Sequence, residues 1–379
     1  MGIYAVESLC FSDYAHSIWQ SRVHRLVDNS RQFEFFRKKI LMGMFDPRHS
    51  VWSMASAEPP ATVFGPVPSR RLGRSLGINN IPPKVCTYSC VYCQLGRTLR
   101  LHVGRERFHE PAVLATAVEA KLTAAARRGE RIDYLTFVPD GEPTLDANLG
   151  RAIRTLRPLG VPIAVISNGS LIDREDVRED VAEADWVSFK VDAVREVHWR
   201  CIDRPHGRLR LESILSGMRE FAAGFSGALA TETMLLAGVN DGEAELRATA
   251  AFVGELGPDT AYLAVPTRPP AERWVRPAAE PAIARAWEVF RAWHGRVELL
   301  VGYEGNAFAS TGDPREDLLS ITAVHPMREE AVRRLVERVG GGWGVVSELV
   351  DMGKLVVVTY GGHRYFLRPV GAATPAGSR

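Results

Sequence analysis

The chain has 379 residues, of which 46% are hydrophobic and 24% charged, the proportions of an ordinary globular protein. Its formal net charge of +2 excludes a strong overall field of the kind that marks nucleic-acid or membrane binders. No apolar run approaches the ~20 residues that cross a bilayer, and the amino terminus lacks the layout of a signal peptide. We therefore expect a cytoplasmic protein with no membrane partner, in which clustered cysteines are metal ligands or catalytic groups rather than disulfides.

Residues 1–60 differ in character from the rest of the chain. They show weak hydrophobic periodicity and lead into the Pro- and Ala-rich segment ASAEPPATVFGPVP. Such a segment is either a poorly ordered extension or the product of a start codon placed too early. We expect no function for it or for its Cys10.

From 61 to 308 short apolar runs alternate with helical patterns. Strand-like runs lie at 74–80, 133–141, 162–169, 185–192, 228–239, 260–267 and 297–303. The first helical stretch begins near Pro111 and carries Val113, Leu114, Ala117 and Val118 at the spacing of an amphipathic helix. Six or seven strand–helix units predict an α/β fold, and a partial (β/α)6-type TIM-like barrel fits the count better than an open doubly wound sheet. Functional side chains are then expected at the carboxyl ends of the strands.

From 309 to 370 the sequence predicts three short helices followed by a hairpin around Gly361–Gly362. Three helices and a hairpin are the layout of a winged-helix-like α+β domain. Its arginines and lysines are offset by acidic residues, so no strongly basic stripe marks it as a nucleic-acid binder. Residues 371–379 are predicted to be a flexible tail.

Three of the five cysteines fall within CTYSCVYC, with the spacing C-x3-C-x2-C. Four-iron clusters normally use four thiolates, whereas catalytic metal sites keep one position open. Cys86, Cys90 and Cys93 therefore suggest a four-iron cluster whose remaining iron takes up a small molecule. Spacing alone leaves open a zinc site completed by a distant histidine, or three unrelated buried thiols.

This spacing, with Tyr92 before the last cysteine and a β/α barrel after it, resembles the radical S-adenosylmethionine (SAM) superfamily. The resemblance implies that Cys86, Cys90 and Cys93 hold a 4Fe-4S cluster and that SAM chelates the open iron. It further implies that an electron from the cluster cleaves SAM to methionine and a 5′-deoxyadenosyl radical, which abstracts hydrogen from a substrate. The protein is expected to position this cofactor and to exclude water.

The ends of the strands supply the expected contacts to SAM. The segment DGEPTL follows the second predicted strand, and Gly141 and Glu142 match the superfamily motif that binds the methionyl amino group; the alternative is a solvated turn. Lys190 and Asp192 share one face of the fourth strand, as ligands of the SAM ribose or carboxylate or as an ion pair inside the barrel. The full expected set of cofactor-binding residues is Tyr92, Gly141, Glu142, Ser167, Asn168, Lys190 and Asp192.

The block FGPVPSRRLGRSLGINNIPPKVCTYSCVYCQLGRT, together with GEPTL, NG, KVD and DRPH, resembles the wyosine-synthase-related branch of the superfamily over about residues 64–305. That branch includes tRNA 4-demethylwyosine synthase and bacterial proteins of unassigned activity. The tRNA-modifying members carry a second cluster on three upstream cysteines, whereas only Cys10 precedes Cys86 here. The bacterial members are therefore the better match.

The resemblance does not identify the substrate, and an RNA base and a protein or peptide side chain are the main options. Four basic residues are candidate substrate contacts, although the first two could equally pair with barrel carboxylates: Arg70, Arg71, Arg204 and His206. We expect an external electron donor of the flavodoxin or ferredoxin type, because no flavodoxin-like domain is found in the sequence. The alternative hypothesis is an iron–sulfur redox-sensing regulator with a winged-helix output domain, which would not need a SAM pocket.

Overall fold

The structure, a computed structural model, describes residues 62–302 and 312–369. The predicted amino-terminal extension, 1–60, and the predicted tail, 371–379, lie outside these residues. Within the described part of the chain, no helix has the length and apolar character needed to span a membrane.

The larger part of the described chain alternates strands and helices, as predicted. Its strands are β1 (Val63–Ser69), β2 (Gly73–Ile78), β3 (Val85–Cys86), β4 (Arg100–Leu101), β5 (Tyr134–Phe137), β6 (Ile163–Ser167), β7 (Trp186–Lys190), β8 (Ala228–Met234), β9 (Thr260–Ala264) and β10 (Val297–Leu300). Its helices are α1 (Pro111–Arg127), α2 (Leu149–Leu156), α3 (Glu175–Ala182), α4 (Glu196–Asp203), α5 (Leu211–Gly224), α6 (Glu243–Leu256) and α7 (Glu280–Arg291). Short 3-10 turns lie at Pro143–Leu145 and Arg157–Leu159.

Eight of these strands form one sheet in the order β1-β2-β5-β6-β7-β8-β9-β10. All neighbours from β2 to β10 are parallel, so their carboxyl ends share one edge of the sheet. Strand β9 is buried along its whole length and β5 and β7 along most of theirs, as expected for strands covered on both faces. The sheet curls into a half-barrel, which confirms the predicted partial TIM-like fold.

Packing inside the curl shows how far the sheet closes. Leu72, in the turn between β1 and β2, belongs to the same buried cluster as Ala264 on β9 and Leu300 on β10. The first and last strands thus lean toward each other without pairing. The barrel remains incomplete, and its interior is filled by side chains.

Two details differ from the prediction. Strand β1 was not predicted because Pro66 and Pro68 interrupt its apolar run; as the antiparallel edge strand, with an irregularity between Phe64 and Val67, it tolerates both prolines. In α1, Val113 is exposed, because the buried face runs through Pro111, Leu114, Ala115 and Val118 instead.

The residues after the second gap, 312–369, form what we call the C-terminal module. It consists of α8 (Pro314–Val324), β11 (Met327–Arg328), α9 (Glu329–Arg338), α10 (Gly344–Asp351), β12 (Val356–Tyr360) and β13 (His363–Leu367). The three strands form an antiparallel sheet in the order β11-β13-β12, and Gly361 and Gly362 take the left-handed backbone that the tight hairpin turn requires. The three helices and the hairpin follow the predicted order, and β11 is an addition. The identity of this module as a winged helix, and the boundaries at 308 and 370, stay predictions.

Candidate active site

A cavity of about 300 Å³ opens at the carboxyl ends of the parallel strands, where a β/α barrel places its functional groups. All three clustered cysteines line it, from one side. The opposite wall is apolar and comes from the ends of β9 and β10. Eight other residues predicted from the sequence as site residues also reach this cavity, namely Arg70, Arg71, Tyr92, Gly141, Glu142, Ser167, Asn168 and Lys190, and the neighbouring Asp140 lines it as well.

The cysteines lie on a loop that we call the cluster loop, residues 84–101. Its first residues are bonded to the end of β5, since the Lys84 amide donates to the Asp140 carbonyl at 2.6 Å and the Glu142 amide donates to the Val85 carbonyl at 3.2 Å. Its middle is bonded to the segment after β7, where the Val91 amide donates to the Ile202 carbonyl at 2.9 Å. Main-chain hydrogen bonds therefore hold the loop on both sides. These bonds do not involve the cysteine side chains.

Each cysteine sulfur has a polar neighbour. The Asn168 side-chain amide lies 3.7 Å from the Cys86 sulfur, and the Lys84 ammonium lies 3.8 Å from the Cys93 sulfur. The Cys90 thiol donates to an Asp203 carboxylate oxygen at 3.4 Å. The Asn168 and Lys84 donors stabilise the negative charge of metal-bound thiolates, whereas the Asp203 carboxylate only accepts from the protonated Cys90 thiol.

Burial favours the protonated form of two of these thiols, Cys86 and Cys90. It raises the pKa of Cys86 to about 12, with Glu142 adding to the shift. It also raises the pKa of Cys90 well above the usual range of a thiol, reinforced by the neighbouring Asp203. Binding of metal at this loop must therefore release protons.

The arrangement fits a cluster better than a single metal ion. Over residues 62–302 and 312–369, no three His, Cys, Asp or Glu side chains converge in the way that a mononuclear site requires. The three cysteines are free thiols on one loop and border a shared cavity. Separate sulfurs around one space suit a four-iron cluster, in which each cysteine binds a different iron. The zinc site that spacing alone left open is thereby disfavoured.

Glu142 is buried, and its carboxylate is bonded within its own turn after β5 and to the end of β6. One of its carboxylate oxygens accepts from the Thr144 amide, the Thr144 hydroxyl and the Ser167 hydroxyl, at 2.7 to 3.1 Å. The other accepts from the Asn168 amide at 2.8 Å and lines the cavity with acceptor capacity left. Ser167 is thus engaged with Glu142, and the side chain of Asn168 donates to the Thr87 hydroxyl at 2.8 Å. The segment after β5 is therefore a buried, hydrogen-bonded turn. It is not the solvated turn that the sequence left open as the alternative.

Lys190 has a partner that the sequence did not suggest. Glu232 on β8 accepts from both the Lys190 ammonium and the Arg71 guanidinium, and all three side chains line the cavity. Burial raises the pKa of Glu232, but the two cations outweigh it and hold that pKa at about 2. The expected pairing of Lys190 with Asp192 is therefore replaced by a Lys190–Glu232–Arg71 group with a net positive charge.

Asp192 lies behind this group. It accepts from the Tyr92 hydroxyl and, at 2.7 Å, from the Met234 amide. Burial and the adjacent Asp192 raise the pKa of Tyr92 well above that of an ordinary phenol. The Tyr92 ring faces the cavity and lies 5.3 Å from the Lys190 ammonium. Asp192 thus orients Tyr92 and does not itself line the cavity.

Arg204 and His206 lie on the other side of the cluster loop from the cavity. Arg204 pairs with Glu272, and the His206 amide donates to the Thr87 carbonyl at 2.9 Å. Neither side chain lines the cavity, so both are placed to support the loop from outside.

The C-terminal module contacts the cavity wall at the end of β9. The hydroxyls of Tyr360 and Tyr365 donate to the carbonyls of Pro266 and Thr267, at 3.2 and 2.9 Å. Arg268 lines the cavity, donates to Gln94 in the cluster loop at 2.7 Å and lies 2.9 Å from a ring nitrogen of His325. Sequence reasoning pointed to Val265 and Pro266 in this wall but missed Arg268, and it also missed Lys84, although a lysine two residues before the first clustered cysteine was a usable signal.

Comparisons with known proteins agree with this geometry. Residues 80–250 match the family model described as the radical SAM superfamily. A UPF0026 protein of Methanocaldococcus jannaschii is 45% identical over 309 residues, which cover 81% of this chain and 96% of that protein. A UPF0026 protein of Helicobacter pylori is 36% identical over 206 residues, covering 54% of this chain and 65% of that protein. A solved structure of TYW1 with a lysine–pyruvate adduct bound is 18% identical, with a TM-score of 0.47, over 58% of this chain and 73% of that one.

Proposed function

Because the chain belongs to the UPF0026 family and contains a radical SAM domain, we propose that its cavity binds a 4Fe-4S cluster and SAM side by side and opens onto the substrate. The chain is a radical SAM enzyme, and these two groups are its cofactors. When bound, they supply a 5′-deoxyadenosyl radical that abstracts hydrogen from a substrate. The observation that carries the proposal is the position of three free cysteines on one loop facing the polar ends of β5 to β8.

We assign the cluster to Cys86, Cys90 and Cys93. The nearby donors Asn168 and Lys84 offset thiolate charge. Gly141 and Glu142 border the same cavity and would hold the group that binds the iron left without a cysteine.

We assign the methionyl end of SAM to the corner around Glu142. The remaining acceptor capacity of its carboxylate suits an ammonium group, and Gly141 before it lets the Val85 carbonyl approach the end of β5 closely. The positive Lys190–Glu232–Arg71 group suits a carboxylate or a ribose hydroxyl. The apolar wall of Val265 and Pro266 suits a flat adenine ring. In this assignment Ser167 acts by holding Glu142 in place, and Asp192 acts by holding Tyr92 in place.

The substrate is proposed at the level of class, as an RNA base or a protein or peptide side chain. Arg70 borders the cavity and is positioned to meet an anionic part of that substrate. The C-terminal module has the helix and strand order of a winged helix, which suits either class. We do not retain the redox-sensing regulator, since neither the domain match nor the relatives point to one. A cytoplasmic location and an external electron donor complete the proposal.

The test is reductive cleavage of SAM. The protein is reconstituted anaerobically with iron and sulfide, reduced with dithionite and incubated with SAM, and 5′-deoxyadenosine is measured. We expect a four-iron absorption spectrum and 5′-deoxyadenosine, both lost in Cys90→Ala and both retained in Val358→Ala, at a side chain that is 38% exposed and does not line the cavity. A colourless wild-type protein, or a cluster retained by Cys90→Ala, would show the assignment to be wrong.

A further inference from the structure

The outer side of the cluster loop carries apolar side chains exposed to solvent. Leu99 is 66% exposed and Leu101 is 40% exposed, although both lie within a few residues of a proposed cluster ligand. The side chains of Arg97 and Arg100 beside them are 67% and 50% exposed. An exposed apolar centre with a polar, charged rim is the composition of a protein-binding surface.

The segment after α4 continues this surface. Arg97 and Arg204 both bind Glu272, so the two segments adjoin. Arg208 and Arg273 are exposed next to these residues. We define the donor face by its apolar and basic residues: Arg97, Leu99, Arg100, Leu101, Arg204, Arg208 and Arg273.

The donor face is strongly positive for its size. Its five arginines are offset by two glutamates, Glu106 and Glu272, to which three of those arginines are already bound. The formal charge of this surface exceeds the +2 of the entire chain. A partner with an acidic surface would therefore be attracted to this face and oriented by it.

The donor face is also close to the cysteines. Leu101 on β4 pairs directly with Cys86 on β3, and the His102 amide donates to the Cys86 carbonyl at 2.9 Å. Paired strands lie about 4.8 Å apart, so a protein resting on Leu101 stands one strand away from a cluster ligand. The cavity lies on the inner side of the same loop, which keeps substrate and partner apart.

From these observations we infer that the donor face is the docking surface for a small acidic protein that carries single electrons. The inference rests on the proposed function, because it assigns a reductant to the proposed cluster. In each encounter the donor centre loses one electron and the cluster gains it, with no atom transferred. A small interface steered by charge suits such a transient partner.

The experiment compares two electron sources with the reconstituted protein. SAM cleavage is driven by dithionite, which needs no docking surface, or by a reduced flavodoxin of negative net charge. The test variant is Leu99→Glu/Arg208→Glu. The control is Trp293→Glu/Arg285→Glu, which makes the same charge change on and after α7, with a Trp side chain that is 54% exposed.

For the test variant we expect the flavodoxin concentration that gives half-maximal rate to rise at least about tenfold, with an unchanged dithionite-driven rate. The control should match the wild type with both sources. The wild-type rate with flavodoxin, but not with dithionite, should fall between about 50 and 500 mM NaCl, because salt screens exposed charges. Equal flavodoxin dependence in test and control variants, or a salt-insensitive wild type, would overturn the inference.

Direct binding separates this inference from the proposed function. The affinity of the reconstituted protein for flavodoxin is measured by biolayer interferometry, for the wild type and both double variants. Weaker binding by the test variant alone supports the donor face, even if dithionite yields no SAM cleavage and the proposed function fails. If the test variant loses the dithionite-driven rate as well, the single variant Arg208→Glu replaces it. Binding of tRNA at this face in competition with flavodoxin would instead identify it as a substrate surface.

Discussion

The cavity end of the half-barrel and the core of the C-terminal module are stabilised in different ways. Around the cavity, charged side chains are buried: Lys84, Asp140, Glu142, Asp192, Asp203 and Glu232. The central cluster of the module contains only apolar side chains, such as Leu335, Leu349 and Phe366. Burial of charge is costly unless each charge is paired, whereas apolar burial is favourable without partners. The difference indicates that the barrel end gives up stability for chemistry, whereas apolar packing stabilises the core of the module.

The largest effect is expected where one buried charge serves two partners. Glu232→Gln leaves the Lys190 ammonium and the Arg71 guanidinium without a counter-charge, which should destabilise the protein by about 3–5 kcal/mol. The measurement is the free energy of unfolding in urea.

Glu298→Gln on β10 is the matched control. Its carboxylate is 41% exposed and paired with Arg296, so its loss should cost less than about 1 kcal/mol. Similar losses for the two variants would contradict the view that the cavity end depends on paired buried charge.

The next effect concerns packing in the module. Leu349→Ala removes a fully buried side chain and should cost about 2–4 kcal/mol, while Val358→Ala, at a side chain 38% exposed, should cost far less. The cluster loop is fixed by barrel segments, so the four-iron spectrum of Leu349→Ala should stay unchanged while the module is cleaved faster by protease. Loss of that spectrum would show that the two regions depend on each other for folding.

The smallest effect is a dependence on pH in the barrel. Burial raises the pKa of Asp146 to about 6, despite hydrogen bonds from Asn148 and Asn80. A carboxyl whose folded pKa is raised contributes stability below its unfolded pKa of about 4 and loses it as pH rises through the folded value. Asp146→Asn removes this loss, so its stability relative to the wild type should be about 2 kcal/mol greater at pH 8 than at pH 4.5. Thermal unfolding at both pH values measures it, and an equal difference at the two would refute it.

Much of the fold could be predicted because it depends on local patterns. Each parallel strand of the barrel is a short apolar run with a turn after it, and every one of the seven predicted runs contains a strand. Strand β1 could not be predicted, since its pairing with β2 and not its own composition makes it a strand.

The residues of the candidate site likewise fall into two groups: those that a local sequence pattern predicts and those that only the fold brings together. The cysteine spacing and the strand-end motifs are local and can be read directly. Glu232 is a single acidic residue in an apolar strand, and a strand's two faces cannot be assigned to interior or exterior from one residue. The Arg204–Glu272 pair joins positions 68 residues apart, and only the fold brings them together. Sequence thus identified ligands for the cofactors more readily than the residues that hold those ligands in place.

Gly141 shows how narrow the tolerance of the site is. A methyl group on this residue would lie 2.0 Å from the Val85 carbonyl oxygen, which is main chain and cannot move aside alone. The end of β5 and the start of the cluster loop therefore touch through bare backbone. A library that varies this pocket to accept new substrates should leave codon 141 untouched and place its diversity on the apolar wall, where an altered side chain displaces only other side chains.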